Sequence, residues 1–218
     1  MAAAEGRTVL VAGASGLVGR EILQGLLADN SVVAVHSVGR RELPLTHAKL
    51  TQHRVDFLKA LPALPRASEA FIALGTTIKV AGSEAAFRAV DHDAVVAVAQ
   101  AARAAGATRL GVVSAMGADK HSRIFYNRVK GETEEALSAM GFATLVIARP
   151  SFLAGDREAL GQPLRGGEKL AMRLSRILAP LIPDNYKSIA AADVAHALLT
   201  HVPRDTGKQV LLSGSMRA

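Results

Sequence analysis

Residues 9–19 read VLVAGASGLVG, an apolar run followed directly by a GxxGxxG pattern that opens an amphipathic stretch. In a turn of this kind the first glycine permits a tight bend, the second lets the backbone approach a pyrophosphate, and the third allows close packing of helix on strand. The helix N-terminus then faces the phosphates, where free N–H groups and the helix dipole favour anions. The pattern predicts a dinucleotide-binding turn, with a ligand-free glycine turn as the alternative. Its contact residues would be Gly13, Ala14, Ser15, Gly16, Leu17, Val18 and Gly19.

The same order of strand and helix repeats along the rest of the chain. Short apolar runs predict seven strands, at residues 8–12, 32–38, 50–56, 70–74, 109–114, 144–149 and 209–212. Longer amphipathic stretches predict helices at 17–28, 83–105, 123–140, 167–178 and 191–201. This alternation predicts an α/β fold, a doubly wound and mostly parallel Rossmann sheet with helices on both faces. Because the 218 residues contain no repeat or linker, we expect one domain covering residues 1–218.

The segment 152–187 departs from this rhythm, since glycine and proline are concentrated in it. Ligands of open α/β sheets bind beyond the carboxyl ends of the strands, so this irregular segment can be a cover over a substrate site. A plain surface loop is the alternative, and the sequence leaves both open.

Composition excludes several classes of protein. There are no cysteines, which rules out disulfides, thiolate metal sites and cysteine nucleophiles. The net charge of +7 favours anionic partners, but the basic residues are scattered, so we expect a phosphate-bearing cofactor and no nucleic acid. No metal site is predicted, because the consecutive Asp91, His92 and Asp93 point around a helix and have a surface or packing role as the simpler explanation.

The Ala/Val-rich stretch 90–113 is interrupted by charges, which argues against a membrane span. The start of the chain lacks the features of a secretory signal peptide. A cytoplasmic protein with no membrane partner is therefore the expectation.

Two arginines follow the second predicted strand, at the position where NAD-selective sites usually carry an acidic residue. Arg40 and Arg41 can form charge-assisted, bidentate contacts with a ribose 2′-phosphate. They favour NADP(H) over NAD(H). The alternative is that they are solvated loop charges, one of them paired with Glu42.

Further cofactor contacts are expected where the third and fourth strands end. Asp56 and Phe57 follow the third strand and can meet the adenine, with a helix-capping role for Asp56 as the alternative. Leu74, Gly75 and Thr76 end the fourth strand, where a glycine lets the chain pass close to the ribose and nicotinamide, or simply makes a turn.

A candidate catalytic set follows the fifth strand. Ser114 ends that strand, and Tyr126 and Lys130 lie four apart on the next helix, which places them on one face. An adjacent ammonium favours the phenolate and lowers a tyrosine pKa from about 10. Ser114 would then hydrogen-bond the substrate oxygen, Tyr126 would donate or remove the proton, and Lys130 would also hold the nicotinamide ribose. The alternative is a surface aromatic beside a solvated lysine.

Taken together, these residues resemble the atypical short-chain dehydrogenase/reductase superfamily, and within it the small Tat-interacting-protein-like oxidoreductases. The likeness covers nearly the whole chain and includes the glycine turn. Its other motifs lie at 73–77, 90–93, 113–119, 126–132, 149–151 and 192–195. It implies an NADP-binding Rossmann fold with Ser114, Tyr126 and Lys130 in the catalytic positions, and by analogy Pro150 as a wall of the nicotinamide pocket.

The first functional hypothesis is an NADP(H)-dependent oxidoreductase acting on a small carbonyl or alcohol. An NADPH-binding regulator with little or no catalysis is the second, and a sugar-nucleotide epimerase or dehydratase is a minor third. The partner would be a small-molecule substrate, and an anionic one is an option because arginines occur in and beside the irregular segment. Monomer and homodimer both remain open.

Overall fold

The computed structural model describes residues 6–57, 59–154 and 183–217, which form one seven-stranded sheet and the helices around it. The strands of the sheet are β1 (Arg7–Ala12), β2 (Val32–Gly39), β3 (Leu50–Arg54), β4 (Glu69–Ile72), β5 (Arg109–Val113), β6 (Thr144–Arg149) and β9 (Gly207–Leu212). They lie in the order β3-β2-β1-β4-β5-β6-β9, and each neighbouring pair is parallel. All seven predicted strands are confirmed, with ends within two residues of those expected.

Helices cover both faces of the sheet, which confirms the doubly wound α/β prediction. They are α1 (Leu17–Ala28), α2 (Ile78–Ala81), α3 (Glu84–Arg88), α4 (Val95–Ala104), α5 (Phe125–Ser138) and α6 (Ala191–His201). On one face, α1 and α6 bury residues such as Ile22 and Leu198 against β1. On the other, α4 and α5 bury residues such as Val98 and Leu137 against β4, β5 and β6. The strands are apolar on both sides because both sides are covered.

The predicted helix 83–105 is present but interrupted. Ser83 caps α3 by accepting the Ala86 N–H at 3.1 Å, and a π-helical turn at Ala89–Ala94 separates α3 from α4. Asp91 lies in this π-helical turn and is only 1% exposed. Its carboxylate contacts the turn that follows β4. Interruptions of this kind occur frequently at functional sites.

The irregular segment can be followed only at its ends. There β7 (Leu153–Ala154) pairs in parallel with β8 (Ile189–Ala190), a small second sheet that the sequence did not predict, and α6 follows β8 directly. A short 3₁₀ turn at Asp184–Tyr186 precedes β8. The predicted helix 167–178 lies outside the described residues.

Candidate active site

The carboxyl ends of the parallel strands meet at one edge of the sheet, and the predicted site residues follow those ends. The turn after β1 has the geometry expected of a phosphate-binding turn. Gly13 has a φ of +88°, and a Cβ there would lie 2.5 Å from the carbonyl oxygen of Ala73. A Cβ at Gly19 would lie 2.1 Å from the carbonyl oxygen of Gly13, so α1 packs directly on the turn.

Gly16 differs from these two glycines. A Cβ at Gly16 would lie 3.4 Å from the carbonyl oxygen of Gly13, an ordinary contact distance, so the protein interior does not require a glycine here. Gly16 is the N-cap of α1, no side chain caps the helix, and its first turn carries no acidic residue. The free N–H groups and the dipole of a 12-residue helix therefore face this open position.

The arginines after β2 are exposed, as an anion-binding role requires. Within residues 6–57, Glu42 forms an ion pair with neither Arg40 nor Arg41. An open cleft of about 430 Å³ lies beside them, lined by Arg40, Arg54, Val55 and Asp56. Arg54 was not predicted: it reaches the cleft because the register of β2 and β3 sets it opposite Gly39. Arg41 does not line this cleft.

The lesser cofactor candidates have mixed surroundings. The Asp56 carboxylate lies in the cleft, 3.6 Å from the Lys59 ammonium. Phe57 and Leu74 are half-buried and pack against the apolar core beneath α4 and α5. Pro150 is buried, and its carbonyl oxygen accepts the Met116 N–H at 2.9 Å.

Lys130 is a buried cation held by a buried carboxylate. Its Nζ lies 2.7 Å from Oδ1 of Asp91, and their side chains are 7% and 1% exposed. Burial acts to lower the pKa of the Lys130 ammonium. The Asp91 charge, Tyr126, the hydrogen bond that the ammonium donates to Asp91, and Glu134 together raise that pKa above its ordinary value of 10.5. Lys130 therefore stays protonated at neutral pH.

Asp91 also connects Lys130 to the turn after β4. Its second oxygen, Oδ2, accepts the backbone N–H of Thr76 at 2.8 Å. A Cβ at Gly75 would lie 3.3 Å from Oδ1 of Asp91 and 3.9 Å from Nζ of Lys130. The glycine expected near the nicotinamide thus borders the buried ion pair.

Ser114 belongs to a second buried network. Its hydroxyl donates to Oε1 of Glu134 at 2.5 Å, with Ser114 8% and Glu134 4% exposed. The Arg149 guanidinium donates to both oxygens of that carboxylate, through Nε at 2.9 Å to Oε1 and Nη2 at 2.5 Å to Oε2. The hydrogen bonds that Arg149 donates to Glu134 raise the pKa of the Arg149 guanidinium above its ordinary value. The Ser114 hydroxyl has one proton, which it donates to Glu134, so toward any other group its oxygen can only accept a hydrogen bond.

Tyr126 is half-buried one helical turn before Lys130. Its ring packs against Phe87 of α3 with centroids 5.3 Å apart. Tyr126, Lys130 and Glu134 follow one another at intervals of four on α5 and therefore lie on one helix face. Tyr126 also acts electrostatically on Lys130, whose pKa it helps to raise.

Three residues of this site were missed. Asp91 was given only a surface or packing role, and Glu134 and the guanidinium of Arg149 were given none. A signal for Glu134 was present, since it continues the Tyr126–Lys130 interval by one more turn. No local signal marks Asp91, because only the packing of the π-helical turn on α5 brings it to Lys130.

The family of the chain follows from comparison with known proteins. The model of a family described as NAD(P)H-binding matches residues 13–203, from the first glycine of the turn to beyond α6. The chain belongs to the NAD(P)H-binding family. The residues at the strand ends fit such a cofactor, since Gly16 leaves room beside the α1 N-terminus and exposed arginines lie at the next strand end.

Curated relatives of this NAD(P)H-binding protein include the protein HTATIP2 of Rattus norvegicus, 34% identical over 218 residues, which cover 95% of this chain and 86% of the relative. The mitochondrial protein fmp52-1 of Aspergillus terreus is 35% identical over 225 residues, which cover 95% and 96% of the two chains. They confirm the resemblance drawn from the motifs. Because the name of the fungal relative places that protein in mitochondria, the cytoplasmic location stays a prediction.

Among solved structures, MoeE5 in complex with UDP-glucose and NAD matches with a TM-score of 0.68 at 22% identity, covering 94% of this chain and 75% of that one. At this identity the likeness shows the Rossmann-type fold. Within the described ranges, no helix is long and apolar enough to span a membrane. The same residues contain no group of three or more His, Cys, Asp or Glu side chains arranged to bind a metal.

Proposed function

We propose that this protein is an NADP(H)-dependent oxidoreductase of the short-chain dehydrogenase/reductase type, which transfers hydride to or from a small carbonyl or alcohol substrate. One observation carries the proposal. A buried, protonated Lys130 follows Tyr126 by one turn of α5 and borders the turn at Gly75, at the sheet edge where the glycine turn of β1 also opens. The side chains proposed to transfer the proton and the glycine-rich turn proposed to bind the dinucleotide thus occupy one edge of one sheet.

The cofactor would be held along this edge by groups from several strand ends. Backbone N–H groups at the N-terminus of α1 would bind the pyrophosphate, with Gly16 allowing the approach. Lys130 would hold the nicotinamide ribose, and Gly75 and Pro150 would border the ring. When bound, the cofactor supplies or accepts the hydride.

The chain's own residues would manage the proton. Tyr126 would donate its hydroxyl proton to a carbonyl oxygen, or remove one from an alcohol, while the Lys130 ammonium stabilises the phenolate. Ser114 was expected to hydrogen-bond the substrate oxygen. Because its proton is donated to Glu134, it would do so as an acceptor, from a substrate hydroxyl.

The preference for NADP(H) rests on positive charge at the β2 and β3 ends. Arg40 and Arg41 are exposed, and Arg54 lines the same cleft as Arg40. A ribose 2′-phosphate carries the negative charge that such guanidiniums bind, whereas the NAD ribose does not.

The cofactor proposal is tested by titrating nucleotide-free protein with NADPH and NADH and following nucleotide fluorescence. Hydrogen bonds to charged groups contribute about 1.5–3 kcal/mol each, so the Arg40→Ala, Arg41→Ala variant, which loses two such contacts, should bind NADPH at least about a hundredfold more weakly. NADH binding should be unchanged. The exposed Arg66, which precedes β4 at the opposite end of the strand, provides the matched control Arg66→Ala. Equal NADPH affinity in the double variant would refute the arginine clamp, and failure to bind either nucleotide would refute the cofactor assignment.

Catalysis is tested separately with a panel of small aldehydes, ketones and quinones. Tyr126→Phe should keep the NADPH affinity and lose turnover, because it removes only the proton that is transferred. The oxidoreductase proposal is wrong if the wild-type protein binds NADPH but turns over no compound of the panel, or if Tyr126→Phe turns over the same compounds equally well. Either result would support the regulator hypothesis.

A further inference from the structure

Arg54 ends β3, directly beside the end of β2. The register between the two strands sets Arg54 opposite Gly39, the last residue of β2. The Val55 N–H, one residue later, donates to the Gly39 carbonyl oxygen at 2.9 Å, so the two strand ends are held together. Because neighbouring strands lie about 4.8 Å apart, Arg54 and Arg40 start from adjacent points of the same sheet edge, and both line one cleft.

The space beside Arg54 is open. The residue opposite it, Gly39, has no side chain. Among the described residues other than its chain neighbours, a Cβ at Gly39 would contact one atom, the carbonyl oxygen of Arg41 at 3.4 Å. The cleft of about 430 Å³ lies within the size range of small-molecule sites, about 300–1,000 Å³.

The Arg54 guanidinium has no partner in the part of the chain that the structure describes. Arg54 is exposed, and no hydrogen bond or ion pair within those residues uses its side chain. Arg7 and Arg149, on other strands of the sheet, instead each contact a buried carboxylate. All five N–H groups of Arg54 are therefore available to a ligand.

The charge of the cleft favours an anion. Arg40 and Arg54 contribute two positive charges to its lining, and Asp56 contributes one negative charge. The Asp56 carboxylate lies 3.6 Å from the Lys59 ammonium, which offsets its charge. The lining thus keeps a net positive charge, and a phosphate monoester has enough oxygens to accept hydrogen bonds from both guanidiniums.

The order of the strands matches the order of groups along a dinucleotide. The glycine turn proposed to bind the pyrophosphate follows β1, Arg40 follows β2, and Arg54 ends β3. These three strands are consecutive neighbours in the sheet, so their ends form one row. A group attached to the adenosine ribose and directed away from the pyrophosphate would therefore meet the end of β3.

We propose that Arg54 is a specificity-determining residue, which binds the ribose 2′-phosphate of NADP(H) together with Arg40. The two guanidiniums would approach the phosphate from adjacent strands and donate to different oxygens. NAD(H) has an uncharged hydroxyl at this position, so it would gain no comparable contact from Arg54. This inference rests on the proposed binding of NADP(H) and is independent of catalysis.

The test compares NADPH with NADH in variants of Arg54, by nucleotide fluorescence titration. Losing one charge-assisted contact in Arg54→Gln should weaken NADPH binding about tenfold or more, whereas NADH binding should change by less than about twofold. Arg54→Lys keeps the charge but not the planar fork, and Arg54→Glu reverses the charge. The NADPH affinity should therefore fall in the order wild type, Arg54→Lys, Arg54→Gln, Arg54→Glu.

Folding of each variant is verified by far-ultraviolet circular dichroism, and any two variants that fold are enough to test the order. Arg66→Gln is the matched control, because Arg66 is also exposed but precedes β4 at the opposite edge of the sheet. It makes the same change in net charge and should leave both affinities unchanged. An unchanged NADPH affinity in folded Arg54→Gln would overturn the proposal. An equal loss of NADPH and NADH affinity would also overturn it, because Arg54 would then not act on the 2′-phosphate.

The outcomes separate this inference from the proposed function. Full NADPH affinity in Arg54→Gln, with weakened binding in the Arg40→Ala, Arg41→Ala variant, would refute the role of Arg54 alone. A wild-type protein that binds NADPH no more tightly than NADH would refute the role of Arg54 and the NADP(H) preference together. A protein that binds NADPH through Arg54 but catalyses nothing would uphold the role of Arg54 and refute the oxidoreductase.

Discussion

Two glycines of the β1 turn should respond to alanine in opposite ways, because one is required by packing and the other by a ligand. At Gly19 the added Cβ would lie 2.1 Å from the Gly13 carbonyl oxygen, a backbone atom, so α1 must move. Overpacking of this kind lowers the free energy of unfolding by about 1–3 kcal/mol. A domain has only about 5–15 kcal/mol in total, so Gly19→Ala should be clearly destabilised.

At Gly16 the added Cβ would come no closer than 3.4 Å to Gly13, and the backbone has φ −87° and ψ 172°, which alanine adopts without strain. Alanine is a poorer N-cap than glycine but restricts the unfolded chain, and these effects oppose each other at up to about 1 kcal/mol each. The free energy of unfolding should therefore change by less than about 1 kcal/mol. The methyl group would instead obstruct the approach of a pyrophosphate, so NADPH affinity should fall at least tenfold, or about 1.4 kcal/mol.

Urea unfolding followed by circular dichroism measures the free energy of unfolding of each variant, and NADPH fluorescence titration of the folded protein measures its NADPH affinity. Each variant is the control for the other. Equal destabilisation of the two variants would show that the packing argument is wrong. Full NADPH affinity in Gly16→Ala would show that the phosphates do not approach the backbone at this glycine.

Two further predictions concern the buried serine network and the pH dependence of stability. Glu134→Gln should lower kcat/KM for any alcohol that the protein oxidises, because the Ser114 hydroxyl is then no longer held as an acceptor, but it should add nothing in a Ser114→Ala background. The exposed Glu135→Gln is the matched control, and additive losses would mean that Glu134 does not act through Ser114. Burial, and then the neighbouring His53, lower the pKa of His36 below its ordinary 6.5, so the unfolded chain takes up this proton first as pH falls. The free energy of unfolding should therefore decrease as the pH falls from about 7 to about 5. Urea denaturation of His36→Asn should show a smaller decrease over the same range. A decrease as large as that of the wild type would show that His36 does not cause this pH dependence.

The sequence by itself determined the elements of the sheet and the turn that defines the family. Apolar runs marked all seven main strands, and α1 and α6 begin and end where the amphipathic pattern predicted. These signals are local, because a short apolar run or a helical repeat of apolar residues can be recognised from consecutive residues alone. The glycine turn and the four-residue interval of Tyr126 and Lys130 are local in the same sense.

Only the tertiary structure decided which groups meet at the site. Asp91 reaches Lys130 because the predicted long helix is broken by a π-helical turn, and helical periodicity contains no mark of that break. Arg54 lines the cleft beside Arg40 because of the register between β2 and β3.

Ser114, Glu134 and Arg149 form one network although 20 and 15 residues separate its hydrogen-bonded pairs. The burial of this network depends on how α5 packs on β5 and β6. A buried carboxylate must be paired with a cation or accept hydrogen bonds, because leaving it without partners is costly in free energy. Residue type and spacing thus identified the chemistry available to this protein, while the packing of distant elements determined the charge and the free hydrogen-bonding capacity of each group.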